Sequence, residues 1–227
     1  MPAPYRIAVL ASGRGSNLQA ILDAITTGRL DAQVAGVFSD RPAAPALERA
    51  RAARIPAFAA EPRDFGSRDA HEAELFGHVA RAEPDLVVCA GYMRLIGAAT
   101  VEAWTGRMVN IHPSLLPAFK GLHTHRQALQ AGVAEHGCSV HYVTAELDGG
   151  PVVSQARVPV LPGDDEPALA ARVLGREHPL LVATLRLLVS RRVQLGPSGV
   201  LLDGEPLAAP LRLDSAGVLH RPDLQPD

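Results

Sequence analysis

Aromatic residues make up only 4% of this 227-residue chain, and Lys120 is its only lysine. Charged residues amount to 20% and the formal net charge is -2. Such a balance excludes any global attraction for nucleic acid or an anionic membrane, although local cationic patches, almost all arginine, are still allowed. Two cysteines, Cys89 and Cys138, permit at most one bridge, which excludes a disulfide-built scaffold. Both read as reduced structural thiols, Cys89 within the apolar run Leu86-Val87-Val88-Cys89-Ala90. No segment approaches the roughly 20 apolar residues that a membrane span requires, and the run from Ile7 to Ala11 lacks the layout of a signal peptide. A cytoplasmic protein is expected, with neither membrane nor nucleic acid as a partner. What is present is ordinary: at 47% hydrophobic, the chain can bury a full core as one large domain, or as one domain with a tail.

Ile7-Ala8-Val9-Leu10 is a short continuous apolar run, the pattern of a strand covered on both faces, and Ser12-Gly13-Arg14-Gly15-Ser16-Asn17 turns the chain after it. Leu18, Ile21, Leu22 and Ile25 then follow helical spacing to a stop at Gly28. A glycine loop between strand and helix offers backbone N-H groups to an anion, with Ser16 and Asn17 as added donors, unless it is only a connecting turn. Leu18 stands where a dinucleotide fingerprint needs glycine, and no Gly-Lys-Ser/Thr follows, so a single small phosphate fits best.

Strands over Val34 to Phe38, Ile55 to Ala59 and Asp85 to Ala90 alternate with helices over Pro45 to Ala53 and Arg68 to Ala82. That alternation predicts an α/β chain with a mostly parallel central sheet and helices on both faces. The turn Gly91 to Ile96 follows one of these strands and either lines an apolar ligand slot or packs as core.

The segment Asn110-Ile111-His112-Pro113-Ser114-Leu115-Leu116-Pro117 follows the apolar pair Met108-Val109. Period-two alternation places Asn110 and His112 on one side of a strand's C-terminal end, where open α/β sheets bind ligands. Pro113 restricts His112 to an extended backbone, and Pro117 with Gly121 shapes the loop beyond. An amide beside an imidazole suits acyl transfer, since both can donate to a developing oxyanion and the imidazole can move a proton. A turn cap and a satisfied loop histidine are the plainer alternatives.

Further on, a helix over Arg126 to Ala131 and a strand over Cys138 to Val143 are predicted, with Ser139 and His141 on one face. The loop Thr144 to Gly150 holds Asp148 before paired glycines, either a turn residue or a carboxylate that orients His112. Pro151 to Val160 reads as a strand, and Asp164-Asp165-Glu166-Pro167 as a helix start. In that helix Ala170, Leu174, Leu181, Leu185 and Leu188 form an apolar stripe with Glu177 inside it, and Pro179 should kink it. An acid on an apolar face wants a partner, which is either a ligand or an internal cation. A hairpin over Val200 to Leu207 and a tail over 208-227 complete the chain. His112, His123, His125, His136 and His141 invite a zinc reading, but Arg126 stands where such loops often supply an acid and neither cysteine is near in sequence. No metal is expected.

Gly13-Arg14-Gly15-Ser16-Asn17-Leu18-Gln19-Ala20, the segment Asn110 to Pro117, Gly121-Leu122-His123-Thr124-His125 and Glu146-Leu147-Asp148-Gly149-Gly150, taken together, closely resemble the folate-dependent glycinamide ribonucleotide transformylases of purine synthesis. The resemblance covers about residues 5 to 207. It implies a Rossmann-like formyltransferase fold over 1-207, with a phosphate-binding N-terminal half and a folate-binding C-terminal half. It also implies direct transfer of a formyl group from 10-formyltetrahydrofolate, as co-substrate, to the amine of 5-phosphoribosylglycinamide. Asn110, His112 and Asp148 would be catalytic. Gly15, Ser16, Asn17 and Glu177 would bind the ribonucleotide. Met93, Arg94, Leu95, Ile96, Val143 and Asn110 would bind the folate, together with the loop Ala145 to Gly150. Lys120, where proline is frequent in the family, and the residues beyond Leu207 depart from the pattern. The related readings are a formyltetrahydrofolate deformylase, or a non-catalytic folate or nucleotide sensor, which would have no need of the trio. A monomer or homodimer acting on small molecules is expected.

Overall fold

The computed structural model describes residues 3-222, which form two compact units, one ending at Asn110 and one beginning at Ile111. The first unit contains β1 (Tyr5–Leu10), α1 (Ser16–Thr26), β2 (Ala32–Ser39), α2 (Pro45–Ala52), β3 (Ala57–Ala59), α3 (Arg68–Arg81), β4 (Leu86–Cys89), α4 (Ala98–Ala103) and most of β5 (Met108–His112). Its strands lie in the order β3-β2-β1-β4-β5 and every pairing is parallel. Ile7, Ala8, Val9 and Leu10 of β1 are fully buried, as a strand with parallel neighbours on both edges requires. Among these, the isoleucine, valine and leucine side chains each contribute about 1.5-3 kcal/mol by leaving water. The buried line of α1 runs Leu18, Ile21, Ala24, with Leu22 and Ile25 half-buried beside it. The order reverses direction between β1 and β4, so the loops that leave these two strands flank the position where open α/β sheets admit ligands. The short helix α4 was not expected from sequence; it follows Gly97 and spans only six residues.

The second unit contains α5 (Thr124–Ala131), β6 (Glu135–Tyr142), β7 (Val152–Pro159), α6 (Glu166–Val189), β8 (Val193–Gly196), β9 (Gly199–Leu202), β10 (Glu205–Pro206), β11 (Leu211–Leu213) and β12 (Leu219–His220). β6 pairs antiparallel with β7, β7 parallel with β11, and β11 antiparallel with β12. The pairings of the two units together make a mostly parallel α/β architecture. β8, β9 and β10 form a separate antiparallel sheet, one strand more than the expected hairpin. Residues 208-222, read from sequence as part of a tail, instead carry β11 and β12; residues 223-227 of that tail lie outside the described residues. β11 is only three residues long, too short for its alternation to be distinguished from a loop.

α6 starts on an Asp165 cap whose side chain accepts from the amide of Ala168, and Pro179 lies inside the helix without ending it. Its buried stripe differs from the expected one at the N-terminal end. Leu169 and Val173 are fully buried whereas Ala170 and Leu174 are half-buried, and the stripe continues through Leu181, Leu185 and Leu188 as anticipated. Glu177, four residues after Val173 and four before Leu181, is half-buried on that line. Cys89 and Cys138 are free thiols, both buried. Burial pushes the Cys89 thiol up to about 12 and that of Cys138 higher still, with Glu177 adding to the latter, so neither is a nucleophile.

Candidate active site

Asn110 and His112 stand two residues apart on β5, so their side chains leave the strand on one side. His112 is buried, and its loop is tied down by groups to which the sequence assigned no such role. The Ser139 hydroxyl donates to the Ser114 carbonyl at 2.7 Å and accepts from the Leu116 amide at 3.1 Å. Gln155 donates from β7 to the Leu116 carbonyl at 2.8 Å, and Thr124 to the Pro113 carbonyl at 2.7 Å. The strands beneath thus fix the support that carries the imidazole.

The carbonyl of Phe119 lies 3.1 Å from Nε2 of His112. A carbonyl can only accept, so Nε2 carries a hydrogen and Nδ1 faces the other way. Opposite Nδ1, at 3.5 Å, is Oδ2 of Asp148. That oxygen also accepts the Gly121 amide at 2.8 Å, which joins the Asp148 loop to the loop that follows His112. Asp148 is a non-glycine residue at φ 47°, and its side chain is 10% exposed. A left-handed backbone at an aspartate is uncommon and suits a residue held for its side chain's direction. The reason for the glycines after it differs between the two. A Cβ on Gly150 would stand 1.9 Å from the Tyr142 carbonyl oxygen, while the nearest atoms to one on Gly149 belong to the flexible side chain of Glu146.

The other carboxylate oxygen of Asp148 lies 3.7 Å from Nε2 of His141, too far for a direct hydrogen bond. His141 Nδ1 is 2.9 Å from the Tyr142 carbonyl, which places its hydrogen there. Burial holds the pKa of His141 below the ordinary histidine value, against the opposing pull of the Tyr142 carbonyl and Asp148. Asp148 therefore lies between two imidazoles. Alternation had placed His141 on a face with Ser139, but it carried no motif that marked it for the site.

A second histidine pair lies on the same unit. Nδ1 of His125 is 3.2 Å from Nε2 of His136, and Phe119 packs edge-on against His136. Burial, then the neighbouring His125 and His112, hold His136 down to about 4. Among the described residues, no group of three or more His, Cys, Asp or Glu is arranged to hold a metal ion, and no helix is long and apolar enough to cross a membrane. Lys120 reaches Glu146 at 2.7 Å, an exposed pair joining the same two loops as Gly121 and Asp148.

In the first unit Gly15 precedes α1 at φ 72°, and a Cβ there would meet Ala46 at 2.8 Å. Arg49 braces this turn from α2, donating to the Arg14 carbonyl at 2.8 Å and to Gln19 at 2.9 Å. Ser16 is half-buried and Asn17 buried at the start of α1. Met93, Arg94 and Leu95 are exposed, Met93 by 60% and Leu95 by 59%, and Ile96 is half-buried. These four belong to the unit that ends at Asn110. Val143, the strand end expected from sequence, is half-buried immediately after β6, which stops one residue earlier at Tyr142. The structure thus joins His112, Asp148 and, unexpectedly, His141, and gives Glu177 a place within electrostatic reach of Cys138.

A family model described as formyl transferase matches residues 5–185. The chain is 48% identical over 201 residues to the phosphoribosylglycinamide formyltransferase of Escherichia coli strain K12, covering 88% of this chain and 95% of that one. A solved phosphoribosylglycinamide formyltransferase of Coxiella burnetii, in complex with CHES, superposes with a TM-score of 0.87 at 45% identity, over 91% of this chain and 97% of that one. The chain is also 44% identical over 194 residues to the trifunctional purine biosynthetic protein adenosine-3 of Drosophila melanogaster, covering 85% of this chain but only 14% of the length of that protein.

Proposed function

Since this chain belongs to the formyl transferase family, we propose that it transfers the formyl group of 10-formyltetrahydrofolate to the amine of 5-phosphoribosylglycinamide, a step of purine biosynthesis. The observation that carries this reading is the burial of His112 at the end of β5 with the Asp148 carboxylate 3.5 Å from its ring. It is supported by the 48% identity, over nearly its whole length, to a protein named for that reaction.

The amine attacks the formyl carbon, the new C-N bond forms, and the carbonyl oxygen becomes an oxyanion. The Asn110 amide and His112 donate to that oxygen. The hydrogen on His112 Nε2 is held by the Phe119 carbonyl in the unliganded protein, so donation exchanges that bond for one to the substrate. Asp148 supports the donating ring electrostatically and holds a water that takes the proton from the attacking nitrogen and relays it toward N10 of the folate. The bond from the formyl carbon to N10 of the folate breaks, N10 takes up a proton, and tetrahydrofolate leaves. No covalent bond to the protein forms.

Gly15, Ser16 and Asn17 hold the phosphate of the ribonucleotide, and Glu177 its glycinamide portion. Met93, Arg94, Leu95, Ile96 and Val143, with Asn110, receive the folate. The buried free thiols fit a reducing, cytoplasmic setting. The test is product identity. With a formyl donor labelled at the formyl carbon, the label should appear on the glycinamide nitrogen of the ribonucleotide; label found only in formate or in another acceptor would refute the assignment.

A further inference from the structure

Three side chains from outside the Gly91 to Ile96 turn hold alternate backbone groups of the segment that begins there. Ser12, at the end of β1, accepts the Met93 amide on its hydroxyl oxygen at 2.9 Å. Its hydroxyl hydrogen goes to Oδ1 of the buried Asp40 at 2.5 Å, and its own amide donates to the Gly91 carbonyl at 3.0 Å. Two residues on, Arg68 of α3 donates to the Leu95 carbonyl at 2.8 Å. Two residues further, both carboxylate oxygens of Glu72, one turn along α3, lie 2.9 Å from the Gly97 amide. Arg68 and Glu72 are themselves 3.9 Å apart.

This arrangement has a physical consequence. A loop that leaves large apolar side chains in water normally gains little from being ordered, because ordering each residue costs about 1-2 kcal/mol of backbone entropy. Here Met93 and Leu95 are largely exposed, yet the backbone at 95 and 97 is fixed by charge-assisted hydrogen bonds and that at 93 by a hydroxyl itself anchored on the buried Asp40. The Ser12 bond crosses the position between β1 and β4 where the strand order reverses.

We infer that Ser12, Arg68 and Glu72 are positioning residues for the folate donor: they pre-order the 93-97 segment so that its apolar side chains meet the ligand without a further ordering cost. The inference rests on the folate role proposed above for Met93 to Ile96. None of the three needs to touch the donor, and Arg68 and Glu72 act on this segment through its backbone, from α3.

The test is the steady-state kinetics of the full-length protein with Arg68→Ala, Arg68→Lys and Glu72→Ala. Arg68 is half-exposed, so its replacement by alanine leaves folding intact, and thermal unfolding checks this for Glu72→Ala. Arg68→Ala and Glu72→Ala should each raise the KM for 10-formyltetrahydrofolate by about five- to tenfold, with kcat and the KM for the ribonucleotide within about twofold of wild type. Arg68→Lys, which can still donate to one carbonyl, should recover most of the loss. A donor KM unchanged in Arg68→Ala, or equal rises for both substrates, would overturn the inference. Wild-type protein that showed no ribonucleotide-dependent transfer would instead refute the functional assignment, so the two failures are distinguishable.

Discussion

Oδ2 of Asp148 lies 3.5 Å from Nδ1 of His112, with both side chains almost completely withdrawn from solvent. At that distance and burial, the carboxylate acts on the ring without the screening that weakens surface pairs.

Asp148→Asn keeps the shape, tolerates the positive φ and still offers an oxygen to the Gly121 amide, so the loop should hold its place. What it loses is the negative charge. Turnover should fall by about 10²-fold or more while the dissociation constant for the folate donor changes by less than about threefold. Stopped-flow transfer rates beside equilibrium titration of the donor would separate the two.

Gly150→Ala tests the loop's backbone. The added Cβ would meet the Tyr142 carbonyl at 1.9 Å, and that carbonyl also receives His141 Nδ1, so the strain passes directly to the site. A loss of about 2 kcal/mol or more, seen as a Tm lower by roughly 4 °C or more, should accompany reduced turnover. Thermal unfolding by circular dichroism gives the first figure.

The two glycines of the first loop should respond differently. Gly15→Ala brings a Cβ to 2.8 Å from Ala46 at a left-handed φ, whereas a Cβ on Gly13 meets nothing within 4 Å. The KM for the ribonucleotide should therefore rise by about tenfold or more in Gly15→Ala and move by less than about threefold in Gly13→Ala.

Acid should destabilise the protein through His136. Its folded pKa, about 4, lies below the ordinary 6.5, so between these values the unfolded chain binds a proton that the folded chain refuses. Stability is then fully present above about pH 6.5 and lost as pH falls toward 4, by at most about 1.4 kcal/mol per pH unit for this one group. Denaturant titrations of wild type and His136→Gln from pH 7 to pH 4 should show the shallower dependence in the variant.

The Lys120–Glu146 pair is short but exposed, its side chains 34% and 70% accessible. Lys120→Ala should cost less than about 1 kcal/mol in stability, read by the same denaturant titration.

Much of this was legible in the residues. The apolar run at Ile7 to Leu10, the turn at Gly13 to Asn17 and the Asp165 cap each state their structure locally, because burial, glycine torsion and capping act over a few neighbours. Asn110 and His112 followed from alternation on one strand. His141 did not: its place beside Asp148 depends on the fold of the 144-150 loop, which no periodicity encodes. Arg68 and Glu72 were not legible beyond their place in the helix expected over Arg68 to Ala82, since their bonds to Leu95 and Gly97 span more than twenty residues. β11 and β12 were missed because two- and three-residue strands owe their existence to the neighbours they pair with.

The most direct test of the central claim is the stoichiometry of tetrahydrofolate release with 10-formyltetrahydrofolate, measured with and without 5-phosphoribosylglycinamide. The account predicts release only when the ribonucleotide is present, one tetrahydrofolate for each formylated product. Release at the same rate without the ribonucleotide, with formate as the product, would contradict it.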